Sequence, residues 1–331
     1  MGIAISSLIP KKEIKISDLG GKRLAVDTSN VLYQFLSSIR QVDGTPLMDS
    51  KRRVTSHLMG LSTRIPKLMD ENIKLCFVFD GKPPALKFQE SQIREERKVI
   101  AESKFKEAMS KRDVKKMLKY SKQFTRLDKN ITEESKKFIE ALGLPVIQAP
   151  SEAEAQAAFM AEQKDVYGVV SQDTDSLIYS TPRLIRNLTA SAKRKVKGMY
   201  VTNYPEVIEL KQVLKTLKIN KDQLLALSIL VGTDYNPKGV KGIGPKTALK
   251  LVKEHKSFDK IFSNVEAEFN WKKIYATFKN MPVIKNYKLR WKEPNLSRIT
   301  KILSSHDFSE NRINKLLEKL TKKEKGLDRW V

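Results

Sequence analysis

Cysteine and histidine are scarce in this sequence, and their scarcity excludes several kinds of site. The 331 residues contain one cysteine, Cys76, and three histidines, at positions 57, 255 and 306. A single cysteine cannot form an intramolecular disulfide, which favours an intracellular setting. The histidines are far apart and have no cysteine neighbours, so no zinc-binding pattern is recognisable. A metal in this protein would therefore be held by oxygen ligands.

Long hydrophobic runs are also missing. No apolar stretch approaches the length of a membrane span, and the N-terminus has no signal-peptide core, so we expect a soluble protein without membrane contacts. Positive charge is abundant instead, because 63 Lys and Arg residues oppose 38 Asp and Glu residues, a net charge of +25. Such an excess indicates a polyanionic partner, nucleic acid before an anionic membrane.

Four short apolar segments alternate with helical patterns such as the one at 30–40. These segments are rich in β-branched or aromatic residues and are predicted to be strands, at 22–27, 75–80, 144–149 and 166–171. Strands that alternate with helices are typical of a parallel sheet. The sequence therefore predicts an α/β fold with a mainly parallel central sheet and flanking helices.

Each predicted strand ends in, or shortly before, one or two carboxylates. The acids are Asp27, Asp80, Glu152, Glu154, Asp173 and Asp175. Because ligands of open α/β sheets bind outside the carboxyl ends of the strands, we expect these acids to meet at one sheet edge. Their mutual repulsion would raise their pKa values or require a bound cation.

Two of these pairs also have a purely structural interpretation. Ser151 and Glu154 fit a capping box at the start of a helix, and Asp173 with Asp175 fits an Asx-type loop. Neither preference explains why all four strands deliver acids at the same end. The coincidence favours a functional cluster.

The segment 82–137 is long, strongly charged and rich in Lys, Glu and Ala, which predicts projecting or mobile helices. Lys87 and Arg94 are seven residues apart, two helical turns, so a helix would present both on one face. The alternative for this pair is an ordinary solvated helix face.

The second half of the chain contains a glycine-rich turn between two helices. After a basic, turn-like stretch at 179–200, a helix is predicted at 220–231 and another at 248–255. The turn contains Gly242-Ile243-Gly244, and glycines allow backbone N–H groups to approach a phosphate beside Lys246. The pattern is similar to the helix-hairpin-helix motif of duplex-binding proteins.

Seven motifs occur in the order and near the spacing of one known family: YQFLSSIRQ, TSHLMG, VFDGKPPALK, APSEAEA, SQDTD, GTDY and KGIGPK. On these motifs the chain resembles a flap endonuclease, of the structure-specific 5′ nuclease family, along nearly its whole length. The short C-terminus is similar to that of archaeal members, which implies a location in the cytoplasm or nucleoid (the nucleus for a eukaryotic protein). The resemblance implies a helical arch from about Lys82 to Glu134 and a helix-hairpin-helix duplex module.

The resemblance also implies a domain organisation. It comprises a nuclease region at 1–98, part of the arch at 99–115, an internal nuclease region with the hairpin motif at 116–258, a helical region at 259–322 and a tail at 323–331.

The resemblance assigns roles to individual residues. Two Mg²⁺ ions, which Mn²⁺ could replace, would be bound by Asp27, Asp80, Glu152, Glu154, Asp173, Asp175 and Asp234. Lys87 and Arg94 would reach the scissile phosphate, and the hairpin turn would bind K⁺. Tyr33 would stack on a base near the cut. Further DNA contacts are implied for Arg40, Thr55, Arg64, Glu152, Gly232, Asp234, Gly242, Gly244, Lys246 and Arg312, of which Thr55 and Arg312 would lie at a pocket for a one-nucleotide 3′ flap.

The implied activity is cleavage of 5′ flaps at their junction with duplex, together with 5′-3′ exonuclease action, in replication and base excision repair. The implied partners of this expected monomer are flap DNA, nicked duplex DNA and a sliding clamp. Leu327 and Trp330 fit a clamp-binding box, whereas Glu324 and Val331 replace its glutamine and second aromatic residue. Two alternatives are a small-molecule phosphohydrolase, which also uses D-x-D at a strand end, and a catalytically silent duplex-binding scaffold.

Overall fold

The computed structural model describes residues 5–191, 193–196 and 199–321. Its main element is a seven-stranded sheet with the strand order β1-β9-β6-β5-β2-β3-β4, and β7 and β8 form a separate two-stranded ribbon. The strands are β1 Lys12–Glu13, β2 Arg23–Asp27, β3 Lys74–Phe79, β4 Val146–Gln148, β5 Gly168–Val170, β6 Arg183–Arg186, β7 Lys193–Val196, β8 Met199–Thr202 and β9 Glu206–Glu209.

The five strands from β6 to β4 are parallel, and β9 and β1 add an antiparallel edge. The four strands predicted from the sequence are therefore confirmed, as is the mainly parallel sheet. The stretch 179–200 was expected to be turn-like, and this expectation was wrong for β6. Leu184 and Ile185 are fully buried there, and so short an apolar segment carries little sequence periodicity.

The helices cover both faces of the sheet and build the projecting parts of the molecule. They are α1 Thr28–Ser38, α2 Ser56–Asp70, α3 Phe88–Ser110, α4 Val114–Ser121, α5 Lys129–Ala141, α6 Ala153–Glu162, α7 Leu210–Leu217, α8 Lys221–Val231, α9 Pro245–Glu254, α10 Phe258–Ser263, α11 Trp271–Lys279, α12 Leu296–Ser304 and α13 Glu310–Thr321.

Three hydrophobic clusters hold these layers together. The main core packs the sheet against α1, α2, α5, α12 and α13, with Phe35, Phe77 and Phe138 fully buried. A smaller cluster lies between the sheet and α6 and contains Cys76, which is a packing residue. A separate core surrounds α7 to α11. Helices on both faces of a parallel sheet are the arrangement that the alternating pattern predicted.

The projecting segment consists of α3 and α4, which share a small cluster of their own around Phe105 and Met117. The arch was expected to extend to Glu134, but the structure ends it before α5, which begins at Lys129. Ile131, Phe138 and Ile139 of α5 are buried in the main core. Their spacing of seven and eight residues is a helical apolar face, so α5 belongs to the body of the molecule.

The two helices of the predicted hairpin are α8 and α9. Asn220 caps α8 reciprocally with Gln223, with N···O distances of 2.8 and 2.9 Å. The second helix begins at Pro245, three residues before the predicted start, since proline is well tolerated at the first helical position.

Candidate active site

Two acids lie at the carboxyl ends of the neighbouring strands β2 and β3. Asp27 is the last residue of β2 and accepts hydrogen bonds from the Asn30 N–H (3.2 Å) and the Ser171 hydroxyl (3.1 Å). Asp80 directly follows β3 and accepts a hydrogen bond of 2.7 Å from the N–H of Ala153, the first residue of α6. The two strand ends are thereby tied to β5 and α6.

Helix α6 delivers two further acids from its first turn. The capping-box interpretation was wrong, because Glu152 is the N-cap residue and the Ser151 hydroxyl donates to the carbonyl of Lys82 at 2.9 Å. Glu154 accepts hydrogen bonds from the hydroxyls of Ser171 (3.4 Å) and Ser176 (3.2 Å). Both carboxylates therefore face the sheet edge instead of capping their own helix.

The remaining acids come from the loop after β5 and from the segment after α8. Asp173 accepts a hydrogen bond from the Asp175 N–H at 3.3 Å, so the Asx-type turn exists alongside the cluster. All seven acids line one cavity of about 190 Å³ at the sheet edge. The structure thus brings together every carboxylate that the sequence singled out. They share the cavity with Tyr33, Lys87 and Arg94.

Burial and mutual repulsion disfavour the ionised forms of two acids in this cavity. Burial, followed by the charge of Asp80, raises the pKa of Asp27 to about 7. Burial, followed by the charges of Asp173 and Asp27, raises the pKa of Glu154 well above its ordinary value. A bound cation would offset both effects, because an opposite charge nearby favours the ionised carboxylate.

The carboxylates fit a hard divalent cation in both donor type and charge. Seven carboxyl groups face the two cationic side chains that line the cavity, and Mg²⁺ prefers oxygen ligands. Among the described residues, no group of three acidic, histidine or cysteine side chains is arranged to hold one ion. The assignment of individual ligands to each ion therefore stays a prediction.

Lys87 and Arg94 are the cationic residues of the cavity and reach it from the base of α3. Lys87 Nζ lies 2.7 Å from Glu152 Oε2 and 3.3 Å from Asp234 Oδ2. Arg94 Nη2 lies 2.7 Å from Asp234 Oδ1. Lys87 ends the 3-10 turn Ala85–Lys87 and is the N-cap of α3, whereas Arg94 lies in the second turn of α3. Both side chains contact Asp234, so they point to the same side of the start of this helix. The solvated-face alternative is wrong for this pair.

The positive charge of Lys87 is stabilised by its neighbours. Burial alone would lower the pKa of Lys87, but the carboxylates of Glu152 and Asp234 outweigh it and raise the pKa above the usual lysine value. Lys87 is therefore charged throughout the neutral pH range and can interact with an anionic group that enters the cavity.

Sequence reasoning missed several residues in or beside the site. Glu90, only 5 % exposed, pairs with Arg94 one helical turn away, and their i,i+4 spacing was the available signal. Tyr179, Tyr235 and Phe278 form an aromatic wall of the cavity. Their contribution depends on the packing of α11 against two distant loops, which no local pattern reveals.

Tyr33 lies at the acidic cavity, and its predicted contact with a base stays a prediction. It projects from α1, the residue is 39 % exposed, and Lys98 Nζ lies 5.9 Å from the ring centroid. An accessible aromatic ring beside a cation suits stacking on a nucleobase.

Three predicted DNA contacts are engaged in internal packing. Arg40 donates to the Gly44 carbonyl at 2.8 Å. Arg64 lies over the Phe35 ring at 5.3 Å, and Thr55 is buried before α2. None of the three lines the acidic cavity, so their DNA-binding roles stay predictions.

Arg312 lies away from the acids, in a groove between α2 and α13. It is exposed, and together with Met59 and Lys315 it lines a second cavity of about 390 Å³. Its predicted place at a DNA pocket is not tested by these contacts.

The glycines of the hairpin turn serve different purposes. Gly232 has a φ of 117°, and a Cβ there would lie 3.0 Å from the Gly239 nitrogen. Gly242 has a φ of 78°. At Gly244 φ is −91° and a Cβ would meet nothing within 4 Å, so the fold itself does not require glycine. Close approach of a ligand explains this residue better, and the exposed Lys246 lies beside it.

The predicted clamp-binding residues Leu327 and Trp330 lie outside the described residues, as do Glu324 and Val331.

Comparisons with known proteins agree with this geometry. Residues 1–101 match the family model of the XPG N-terminal domain, and residues 143–234 match that of the XPG I-region. Flap endonuclease 1 of Pyrococcus abyssi is 49% identical to this chain, over 100% of this chain and 98% of that protein. The chain belongs to the flap endonuclease 1 family. The flap endonuclease 1 of Thermococcus onnurineus is 48% identical, over 100% of this chain and 99% of that protein.

One solved structure supports the same family, and a second shows the same fold. Flap endonuclease-1 from Methanococcus jannaschii has a TM-score of 0.78 and 40% sequence identity, covering 97% of this chain and 98% of that chain. The catalytic core of Rad2 in complex with DNA substrate shares the fold, with a TM-score of 0.69 at 23% identity over 94% of this chain and 96% of that chain.

Family, fold class and enzyme class are thereby confirmed. As a flap endonuclease, the protein is a hydrolase of phosphodiester bonds. Within the described ranges, none of the helices combines the length and apolar character needed to cross a bilayer.

Proposed function

We propose that this flap endonuclease cuts a 5′ single-stranded flap where it joins duplex DNA and leaves a nick that can be ligated. It would also degrade DNA from a 5′ end, and both activities would serve Okazaki fragment maturation and base excision repair. The observation that carries the proposal is the acidic cavity at the sheet edge, entered by Lys87 and Arg94 from the base of the projecting helix α3.

The seven carboxylates of the cavity would hold two Mg²⁺ ions, with Mn²⁺ as a possible substitute. When bound, such ions lower the pKa of a water molecule and stabilise the attacking and leaving oxygens of a phosphodiester. The carboxylates themselves would fix where the cations lie. The serine hydroxyls of Ser171 and Ser176 orient Asp27 and Glu154 by hydrogen bonding.

Lys87 and Arg94 would stabilise negative charge that develops on the scissile phosphate. Both groups are anchored on Asp234, which prepositions their positive charges at the cavity. Preorganised charged donors contribute most where water is largely excluded, and the Lys87 side chain is only 20% exposed. Tyr33 would stack on a base beside the cut and orient the strand.

The α8–α9 hairpin would bind the duplex next to the junction. Gly242, Gly244 and Lys246 offer open backbone and an exposed cation at the start of α9, a helix end that suits a phosphate. A potassium ion at this turn would take part in the same contact. The net charge of +25 would supply affinity that is independent of base sequence.

The proposals of a monomeric state and of a protein partner rest on the sequence alone. A monomer would contact a sliding clamp through Leu327 and Trp330 in the C-terminal tail.

A comparison of three substrates in the presence of Mg²⁺ tests the activity. A double-flap DNA labelled at its 5′ end, the matched plain duplex and a nucleotide monophosphate would be incubated with equal amounts of enzyme. We expect one dominant incision at the flap junction, little internal cutting of the duplex and no release of inorganic phosphate. Phosphate release from the nucleotide would favour the phosphohydrolase alternative, and binding without any cutting would favour the silent scaffold.

A further inference from the structure

Two tyrosines in the wall of the acidic cavity are joined by a hydrogen bond between their hydroxyl groups. Tyr179 follows the short 3-10 turn Thr174–Leu177, which carries Asp175, and Tyr235 directly follows Asp234. The two Oη atoms are 3.1 Å apart and connect segments that are 56 residues apart in the chain. The bond therefore joins two acid-bearing loops that are not neighbours in sequence.

The rings are held from one side by Phe278 of α11. Its ring centroid is 5.3 Å from that of Tyr179 and 4.8 Å from that of Tyr235, and both contacts are tilted. Tilted aromatic pairs at such distances are favourable and restrict ring movement. A tyrosine-to-phenylalanine change would keep these ring contacts and remove only a hydroxyl group.

The position of the tyrosine pair matters because Asp234 lies on a different part of the fold from the other six acids. Those six lie at the carboxyl ends of the parallel strands or in the first turn of α6. Asp234 follows α8, which packs in the core around α7 to α11, and Leu177 and Tyr179 of the Asp175-bearing segment pack in that same core. The contact between Tyr179 and Tyr235 is therefore one of the contacts that set the distance between Asp234 and Asp175.

The hydroxyl pair is suited to this role because a tyrosine hydroxyl, with an ordinary pKa of about 10, is uncharged at neutral pH. One hydroxyl donates to the other, and the second O–H proton remains available to an oxygen in the cavity. The hydrogen bond adds no charge to a cavity that is already lined by seven carboxyl groups.

We propose that Tyr179 and Tyr235 are a positioning pair whose hydrogen bond sets Asp234, and with it Lys87 and Arg94, against the acids of the sheet edge. The inference rests on the proposed function, since positioning is measured through phosphodiester cleavage. It assigns a task to two hydroxyl groups for which the sequence motifs imply no role.

The test uses the variants Tyr179→Phe, Tyr235→Phe and the double variant in the full-length enzyme. With enzyme in excess over flap DNA and with Mg²⁺ present, each single variant should cut about three- to tenfold more slowly, the effect of losing one hydrogen bond. Affinity for the flap should change by less than about twofold, because the pair lies in the wall of the acidic cavity and not at the α8–α9 turn that is proposed to bind the duplex. The double variant should be no slower than the slower single variant, since both changes break the same bond.

Tyr275→Phe provides the matched control. The Tyr275 ring packs on Phe258, at 4.6 Å between centroids, in the same lobe but outside the acidic cavity. This variant should cut at the wild-type rate. Thermal melting of every variant separates positioning from a general loss of stability.

Three results would overturn the inference. They are unchanged rates in both single variants, rate losses that multiply in the double variant, or a loss confined to DNA affinity. Failure of the wild-type enzyme to cut flaps would instead refute the proposed function, so the two failures are distinguishable.

Discussion

Replacing Lys87 by alanine is expected to slow the chemical step far more than it weakens DNA binding. Lys87 Nζ is held 2.7 Å from Glu152 and 3.3 Å from Asp234, so its charge is fixed in the cavity before substrate arrives. Loss of one preorganised donor to a developing oxyanion costs about 2.7–4 kcal/mol, a rate factor of about 100 to 1,000. We therefore expect the single-turnover rate on flap DNA to fall by about that factor.

The effect on affinity should be much smaller. Duplex binding is spread over a basic protein with a net charge of +25, so removal of one charge should weaken binding by less than about tenfold. Single-turnover cleavage with enzyme in excess gives the rate, and fluorescence anisotropy of a labelled flap without cleavage gives the affinity. A group that acts mainly in the transition state lowers the rate at saturation.

Two further variants sharpen this prediction. Lys82→Ala removes an exposed lysine five residues earlier that does not line the cavity, and it should cut at nearly the wild-type rate. Lys87→Arg keeps the charge with a different shape and should retain more activity than Lys87→Ala. If Lys87→Ala loses affinity while its single-turnover rate stays unchanged, Lys87 is an ordinary phosphate contact and the reasoning is refuted.

Three other predictions address the duplex module, stability and the tail. Gly244→Ala should leave the melting temperature unchanged yet weaken duplex binding. Gly242→Ala should lower the melting temperature, because φ is 78° at this residue. A Gly244→Ala variant that binds duplex as tightly as the wild type would contradict the first expectation. Burial alone would raise the pKa of Asp49, but hydrogen bonds from Arg53 outweigh it and lower the pKa in the folded state. The Asp49 carboxylate therefore stabilises the fold at pH values above its unfolded pKa of about 3.9, and this stabilisation is lost as the pH falls through the folded pKa. Asp49→Asn should therefore melt earlier than wild type at pH 7, with a difference that shrinks below about pH 4; a difference that does not depend on pH would count against it. Trp330→Ala should abolish stimulation by a sliding clamp without changing clamp-free cleavage, and unchanged clamp binding in calorimetry would refute the clamp box.

The sheet and its acids could be predicted because local patterns determine them. Strands ending at Asp27 and Asp80 are short buried runs, and their parallel pairing follows from the helices between them. Once the strands are parallel, their carboxyl ends meet, and the acids converge without further information. The same reasoning fails for Asp234, which joins the cluster only through the packing of a second core.

The sequence does not show whether a charged side chain binds substrate or packs within the protein. The substrate contacts of Arg40 and Arg64 stay predictions, and in the structure both side chains are half-buried and donate to backbone carbonyl groups within the protein. A basic residue in a motif does not reveal whether its partner is a phosphate or the chain itself. Glu90 shows the converse, since a glutamate in a charged helix is normally solvated but here is buried against Arg94.

The most direct test of metal-dependent hydrolysis at the acidic cavity is a cleavage assay over a range of Mg²⁺ concentrations. It compares the wild-type enzyme with Asp175→Ala on a 5′-labelled double-flap DNA. Asp175 is buried at the cavity and lies outside the three hydrophobic clusters of the body, so the variant should fold and bind flap DNA. We predict junction cleavage that rises with Mg²⁺ and disappears in excess EDTA for the wild type, and a rate lower by orders of magnitude for the variant. Cleavage that persists in EDTA, or a variant that cuts at the wild-type rate, would contradict the account.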